Sequence, residues 1–141
     1  MTWRPFLMVL MMAVLAGPAG AQPLPQADQT AVQDVIGRQI EAFRHDDAAA
    51  AFAFAAPNIQ LLFGTPERFL DMVRTAYKAV KNPRSVEFGD LVSGQGEVTQ
   101  DVELVGPDGQ PEKARYTLEK DATGTWRIAG CVLLRSERLA V

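Results

Sequence analysis

Apolar residues recur at intervals of three and four through the first half of the chain and at intervals of two through the second, and the change falls at Asn82-Pro83. In the first helical stretch Val32, Val35, Ile36, Ile40 and Phe43 line one face. Thr30 and Gln33 have capping-box spacing at its start, with Asp28 as an earlier alternative cap. Gly37 inside it costs about 1 kcal/mol against alanine, which predicts a backbone packed close by. His45-Asp46-Asp47 ends this helix and starts a second over residues 48–56, which Pro57 stops. Phe52 and Phe54 point about 200° apart on that helix, so one is expected against the first helix and the other elsewhere.

Residues 58–63 form a short apolar piece, read as a strand, that ends at Gly64. Thr65-Pro66-Glu67 then supplies an N-cap, a proline at the first helical position and an acid in the positive first turn. The third helix that follows has Phe69, Val73, Ala76, Tyr77 and Val80 as its buried stripe, with Arg74, Lys78 and Lys81 opposite.

Four strands complete the chain, with inward positions Val86 and Phe88, then Val98, Gln100, Val102 and Leu104, then Ala114, Tyr116 and Leu118, then Trp126, Ile128, Gly130, Val132 and Leu134. Glycine-rich turns at Gly94-Gln95-Gly96, Gly106-Pro107-Asp108-Gly109 and Asp121-Ala122-Thr123-Gly124 join them as hairpins. Glu87, Thr99, Asp101, Glu103, Arg115, Thr117, Glu119 and Arg127 make the other face polar, so one side is wet and the helices must cover the dry one. The fold class is α+β: N-terminal helices packed on one face of a four-stranded antiparallel meander.

Three blocks, IGRQIEAFRHDDAAAAFAFAAP, FGTPERFLDMVRTAY and WRIAGCVL, resemble the bacterial domain-of-unknown-function 4864 family. The element order resembles the nuclear transport factor 2-like, or cystatin-like, superfamily. That resemblance implies a cone in which a curved sheet wraps a long helix and leaves a pocket, and it makes a homodimer as reasonable as a monomer. Enzymes of the superfamily place acidic or histidine bases in the pocket, at positions that this sequence does not let one match residue by residue, so no catalytic residue is carried over.

The first 21 residues place Arg4 before an apolar run from Phe6 to Ala16, then Gly17-Pro18 and the small triplet Ala19-Gly20-Ala21. This reads as a signal peptide cleaved after Ala21, since the run falls short of the roughly 20 apolar residues of a spanning helix. The expected product is periplasmic or secreted and keeps no membrane anchor. Residues 22–28 are expected to be a flexible, proline-punctuated arm, and 29–141 a single domain. With 14 basic and 17 acidic residues in 141 the chain is acidic, which argues against a nucleic-acid partner. Its single cysteine, Cys131, has no intramolecular partner for a disulfide.

Candidate chemistry is sparse. His45, Asp46 and Asp47 form a polar cluster that suits acid–base work or a cation, and equally suits helix capping. One His and one Cys are too few for a zinc site, and no cofactor motif occurs. On the dry face Gln100, Tyr116 and Gly130 are anomalies; with Tyr77 and Trp126 they mark a possible pocket. Alternatively Gly130 forms a bulge and Gln100 lies at a watered edge. A bulge would decide which way Cys131 faces. Arg74, Lys78, Lys81 and Arg84 form a basic stripe that suits an anionic partner or a solvated helix face. The function expected is a non-enzymatic module for a small apolar or amphipathic ligand or a protein partner. The alternative is a cofactor-free acid–base enzyme acting on a small apolar substrate.

Overall fold

The computed structural model describes residues 23–134, so the proposed signal peptide and its cleavage site lie outside the described residues, as does the stretch 135–141. Five helices precede four strands: α1 (Gln26–Arg44), α2 (Ala48–Ala53), α3 (Pro57–Phe63), α4 (Pro66–Ala76), α5 (Lys78–Lys81), β1 (Ser85–Ser93), β2 (Glu97–Val105), β3 (Pro111–Lys120) and β4 (Trp126–Leu134). The strands pair antiparallel in chain order. The α+β meander expected from the change of period is therefore present.

Helix α1 lays Val32, Ile36, Ile40 and Phe43 on the sheet, each at most 2% exposed. Across from them Val102, Ala114, Tyr116 and Leu118 are fully buried. This interface is the core, and α4 adds Phe69, Leu70 and Val73 to it.

Several local readings need correction. The helix starts at Gln26, inside the stretch expected to be a flexible arm, and neither Thr30 nor Asp28 caps it. Instead the Pro25 carbonyl accepts from Asp28 N and Gln29 N, and Gln29 Nε2 bonds Leu24 O at 2.7 Å. Asp28 is engaged elsewhere: its Oδ1 accepts from Lys120 Nζ at 3.0 Å and from Trp126 Nε1 at 3.1 Å, which ties the first turn to the β3–β4 hairpin. Gly37 has no atom within 4 Å of where a Cβ would stand; it opens on a shallow groove shared with Phe54 and Phe88.

Pro57 starts a helix rather than only stopping one. It occupies the first position of α3, where its missing N–H costs nothing, and Gly64 ends the helix with φ of 77°. Residues 58–63 are therefore helical and not a strand. The extended piece is the linker before it. Ala55 bridges Ile128 in parallel, Ile128 N donates to Phe54 O at 2.9 Å, and Ala56 N to Ile128 O at 2.8 Å. The third predicted helix is broken at Tyr77 into α4 and α5, so its stripe does not run through as one line; Ala76 is exposed, while Ala79 and Val80 are buried.

Two bulges set which side chains face inward. In β1, Phe88 pairs with Val102 and Leu91 with Gln100, so Gly89 and Asp90 together oppose Asp101. In β4, Ile128 pairs with Leu118 and Gly130 with Thr117, leaving Ala129 as the extra residue. Beyond it the alternation inverts. Cys131 and Leu133 pair with the inward Tyr116 and Ala114, while Val132 turns outward and is 59% exposed.

Candidate binding pocket

A pocket of about 480 Å3 lies between α3, α4, Tyr77 and the inner face of β3 and β4. Phe43 and Gln39 of α1, Phe63 of α3, and Phe69 and Met72 of α4 supply helical walls, with Ile128 and Cys131 on the sheet side. Each wall follows from the fold described above. Pro57 and Gly64 define α3, which brings Ile59, Leu62 and Phe63 to the mouth. Thr65 Oγ1 accepts from Arg68 N at 3.3 Å and starts α4. The Ala129 bulge turns Cys131 into the interior beside Tyr116.

The polar groups here are few. Tyr77 Oη donates to the Cys131 carbonyl at 3.1 Å, and Gln39 Nε2 donates to Ala51 O at 3.1 Å. Tyr116 is fully buried, and its hydroxyl has no hydrogen-bond partner among the described residues. Burial pushes the Tyr116 phenol well above its usual range and, less strongly, that of Tyr77. The Cys131 thiol faces Tyr116 closely enough for each to influence the other, and desolvation pushes it up to about 12. All three groups are neutral near pH 7.

Of the residues singled out from sequence, Tyr77, Tyr116 and Gly130 line this pocket, but Gln100 and Trp126 do not. Gly130 contributes backbone from the outward register, not a gap in the dry face. Gln100 is buried yet satisfied: its Nε2 donates to Asp101 O at 2.8 Å and Gly89 O at 3.0 Å, and its Oε1 accepts from Gln33 Nε2 at 3.4 Å. It braces the β1 bulge and meets no water there, since it is 0% exposed. Trp126 closes the opposite end, with Lys120 Nζ 5.4 Å from its ring centroid.

His45, Asp46 and Asp47 do not enter the pocket. His45 lies at the end of α1 with its side chain 77% exposed, 3.7 Å from Glu41. Asp47 caps α2 by accepting from Ala50 N at 3.1 Å. Asp46 has φ of 54° and receives Arg74 at 2.8 Å and Lys81 at 3.1 Å. Those two cations hold its carboxyl below the usual range, Arg74 through the stronger hydrogen bond. The basic stripe is correspondingly split: Arg74 and Lys81 converge on Asp46, while Arg84 donates to Pro107 O at 2.7 Å. Among the described residues no three His, Cys, Asp or Glu side chains are grouped to hold a metal, and no helix is long and apolar enough to cross a membrane.

The sequence reading missed Gln39 and the α3 residues. Gln39 shares the buried face of α1 at i, i+3 from Ile36, and Pro57 and Gly64 are the first-position and terminal signals of a helix.

The family model described as "Domain of unknown function (DUF4864)" matches residues 25–141, and the chain belongs to that family. No curated protein matches it in sequence. Among solved structures it is similar to Aln2 of a Streptomyces species, with 19% identity, TM-score 0.55, and coverage of 79% of this chain and 93% of that one. A Nostoc punctiforme protein of unknown function with a cystatin-like fold gives 13% identity, TM-score 0.54, and coverage of 79% and 93%. An NTF2-like protein of Campylobacter jejuni gives 10% identity, TM-score 0.51, and coverage of 70% and 97%. At these identities the likeness shows the fold, which is nuclear transport factor 2-like.

Proposed function

We propose that this DUF4864 family member is a secreted or periplasmic, non-enzymatic module that binds a small apolar or amphipathic molecule in the pocket between α3, α4 and the β3–β4 hairpin. One observation carries the reading: an aromatic-walled space of about 480 Å3 lined by Tyr116, whose fully buried hydroxyl has no well-formed hydrogen bond among the described residues. Ligand sites combine an apolar lining with a few placed polar groups, and this volume falls in their usual range. Native mass spectrometry of the protein recovered from its own envelope tests it. A retained organic molecule, released by denaturation, is the expected result; a bare chain that also fails to take up amphipathic compounds added in excess overturns it. The secretory reading rests on residues 1–21 and is tested by N-terminal sequencing of the recovered protein, which should begin at Gln22.

A protein partner is the second reading, favoured by Leu62 and Val132, which stand 73% and 59% exposed beside the pocket mouth. The acid–base enzyme reading is weaker, because its best residues, His45 and Asp47, lie at the surface, one at the end of α1 and the other capping α2.

A further inference from the structure

We infer that the ligand of this pocket carries a neutral hydrogen-bond acceptor, such as a carbonyl oxygen, on an otherwise apolar body, and that the Tyr116 hydroxyl is the donor that reads it. This rests on the small-molecule reading above and narrows its chemistry.

Buried polar groups in folded proteins are nearly always hydrogen-bonded, and an unpaired one needs a reason. Tyr116 is 0% exposed, sits at a pocket-lining position, and its hydroxyl is unpaired among the described residues. The other strong donors in the lining are engaged by backbone: Tyr77 Oη by Cys131 O and Gln39 Nε2 by Ala51 O. Among the described residues the Tyr116 hydroxyl has only the Cys131 thiol set against it, a weak hydrogen-bonding group, so an acceptor on an entering molecule that reaches this buried hydroxyl competes with sulfur alone. An acceptor on that molecule regains the hydrogen bond that Tyr116 lost on folding.

Charge is settled by the same surround. Among the described residues no Lys, Arg or His lines the pocket to neutralise an anion. Desolvation already holds Tyr116, Tyr77 and Cys131 in their neutral forms, and a carboxylate brought in would meet the same penalty. A carbonyl satisfies Tyr116 without it.

The test compares acetylnaphthalene, ethylnaphthalene and naphthoate, substituted at the same ring carbon, by calorimetric titration of the chain from Gln22. The ketone is expected to bind about tenfold tighter than the hydrocarbon, one hydrogen bond to a group otherwise left unpaired. Tyr116→Phe should bring the two within about twofold while leaving the hydrocarbon unchanged. Equal wild-type affinities, or naphthoate binding tightest, overturn the acceptor inference and leave the pocket reading standing. Failure of all three to bind at any accessible concentration removes the pocket reading and the inference with it. Should Tyr116→Phe not fold, the carbonyl stretch of labelled acetylnaphthalene decides on wild-type protein. A shift to lower wavenumber on binding supports the hydrogen bond, and an unshifted band overturns it.

Discussion

Cys131 stands opposite Tyr116 across the β3–β4 ladder because β4 carries one residue, Ala129, more than β3 can pair. The extra residue does not leave its carbonyl stranded: Asn58 Nδ2 donates to Ala129 O at 3.0 Å, and the Phe54–Ala56 linker pairs with Ile128 just before the bulge. The start of α3 thus braces the bulge, and the bulge points a thiol and a phenol at each other. Helix, linker and strand together build that wall of the pocket.

The first prediction concerns that thiol. Desolvation raises it from 9.0 to about 12, so at pH 8 its thiolate population is on the order of a thousandfold below that of an ordinary cysteine. Alkylation by iodoacetamide should be slower in native protein than in denaturant by about that factor. Mass spectrometry of quenched time points reads both rates. A native rate within about tenfold of the denatured one would mean that the bulge region opens readily to solvent.

Asp101 and Arg115 give the second. They are directly paired across β2 and β3, with Arg115 Nε on Oδ1 at 2.8 Å and Nη2 on Oδ2 at 3.1 Å. The polar alternation puts Asp101 on the wet face, yet its side chain is only 10% exposed because the β1 bulge covers it. The Arg115 hydrogen bond holds its carboxyl below 3.8, so the pairing contributes fully above the unfolded value and is lost as pH falls through the lower, folded one. Asp101→Asn should lower the melting temperature at pH 7, and the gap to wild type should begin to narrow below the ordinary carboxylate value of about 4 and close only beneath the lowered folded value, where both side chains are neutral. Parallel melting curves across the whole acid range would show that Asp101 is not the titrating group.

The layers, the strand order and all three hairpins are legible in the sequence because each depends on a local signal: the period of apolar residues, a turn glycine, a cap at Thr65. What escapes is decided by contacts distant in sequence. The Ala129 bulge needs Asn58 to reach the Ala129 carbonyl, 71 residues on, and Ala55 to reach Ile128, and the sequence around Gly130 shows only that a bulge is possible. Gln100 reads as a pocket fixture because the Gly89-Asp90 bulge that absorbs its amide leaves no pattern within β2. Residues 58–63 escape for a different reason. Six apolar-rich residues fit a strand or a helix by periodicity alone, and only their flanking Pro57 and Gly64 decide between them.

Asp46 provides the third prediction, since two demands meet at one residue. It turns the chain between α1 and α2 with φ of 54°, and it receives Arg74 of α4 and Lys81 of α5. Asn tolerates the left-handed backbone but carries no charge, and Ala does neither. Thermal melts should therefore rank wild type above Asp46→Asn and Asp46→Ala lowest. Added salt should narrow the first gap by screening the exposed ion pairs and leave the second in place. If Asn and Ala melt together, the backbone conformation contributes nothing measurable and the ion pairs alone matter.

The fourth prediction tests what holds the helical layer together. Phe69 of α4 meets Phe43 of α1 at 5.7 Å, Phe52 of α2 at 5.6 Å and Phe63 of α3 at 5.5 Å between ring centroids, all tilted. One ring thus joins four helices and forms part of the pocket wall. Phe69→Ala should cost about 3–5 kcal/mol in urea unfolding, because the cavity it leaves merges with the pocket and neighbours cannot close it. Against a typical domain stability of about 5–15 kcal/mol that is a large share. The tilted geometry also predicts energy beyond buried area. A double-mutant cycle of Phe69→Leu with Phe52→Leu should give a coupling of about 0.5–1.5 kcal/mol, and the milder variants keep the fold intact for the measurement. Additivity within about 0.3 kcal/mol would mean that the helices are held by area alone and that the ring orientations are incidental.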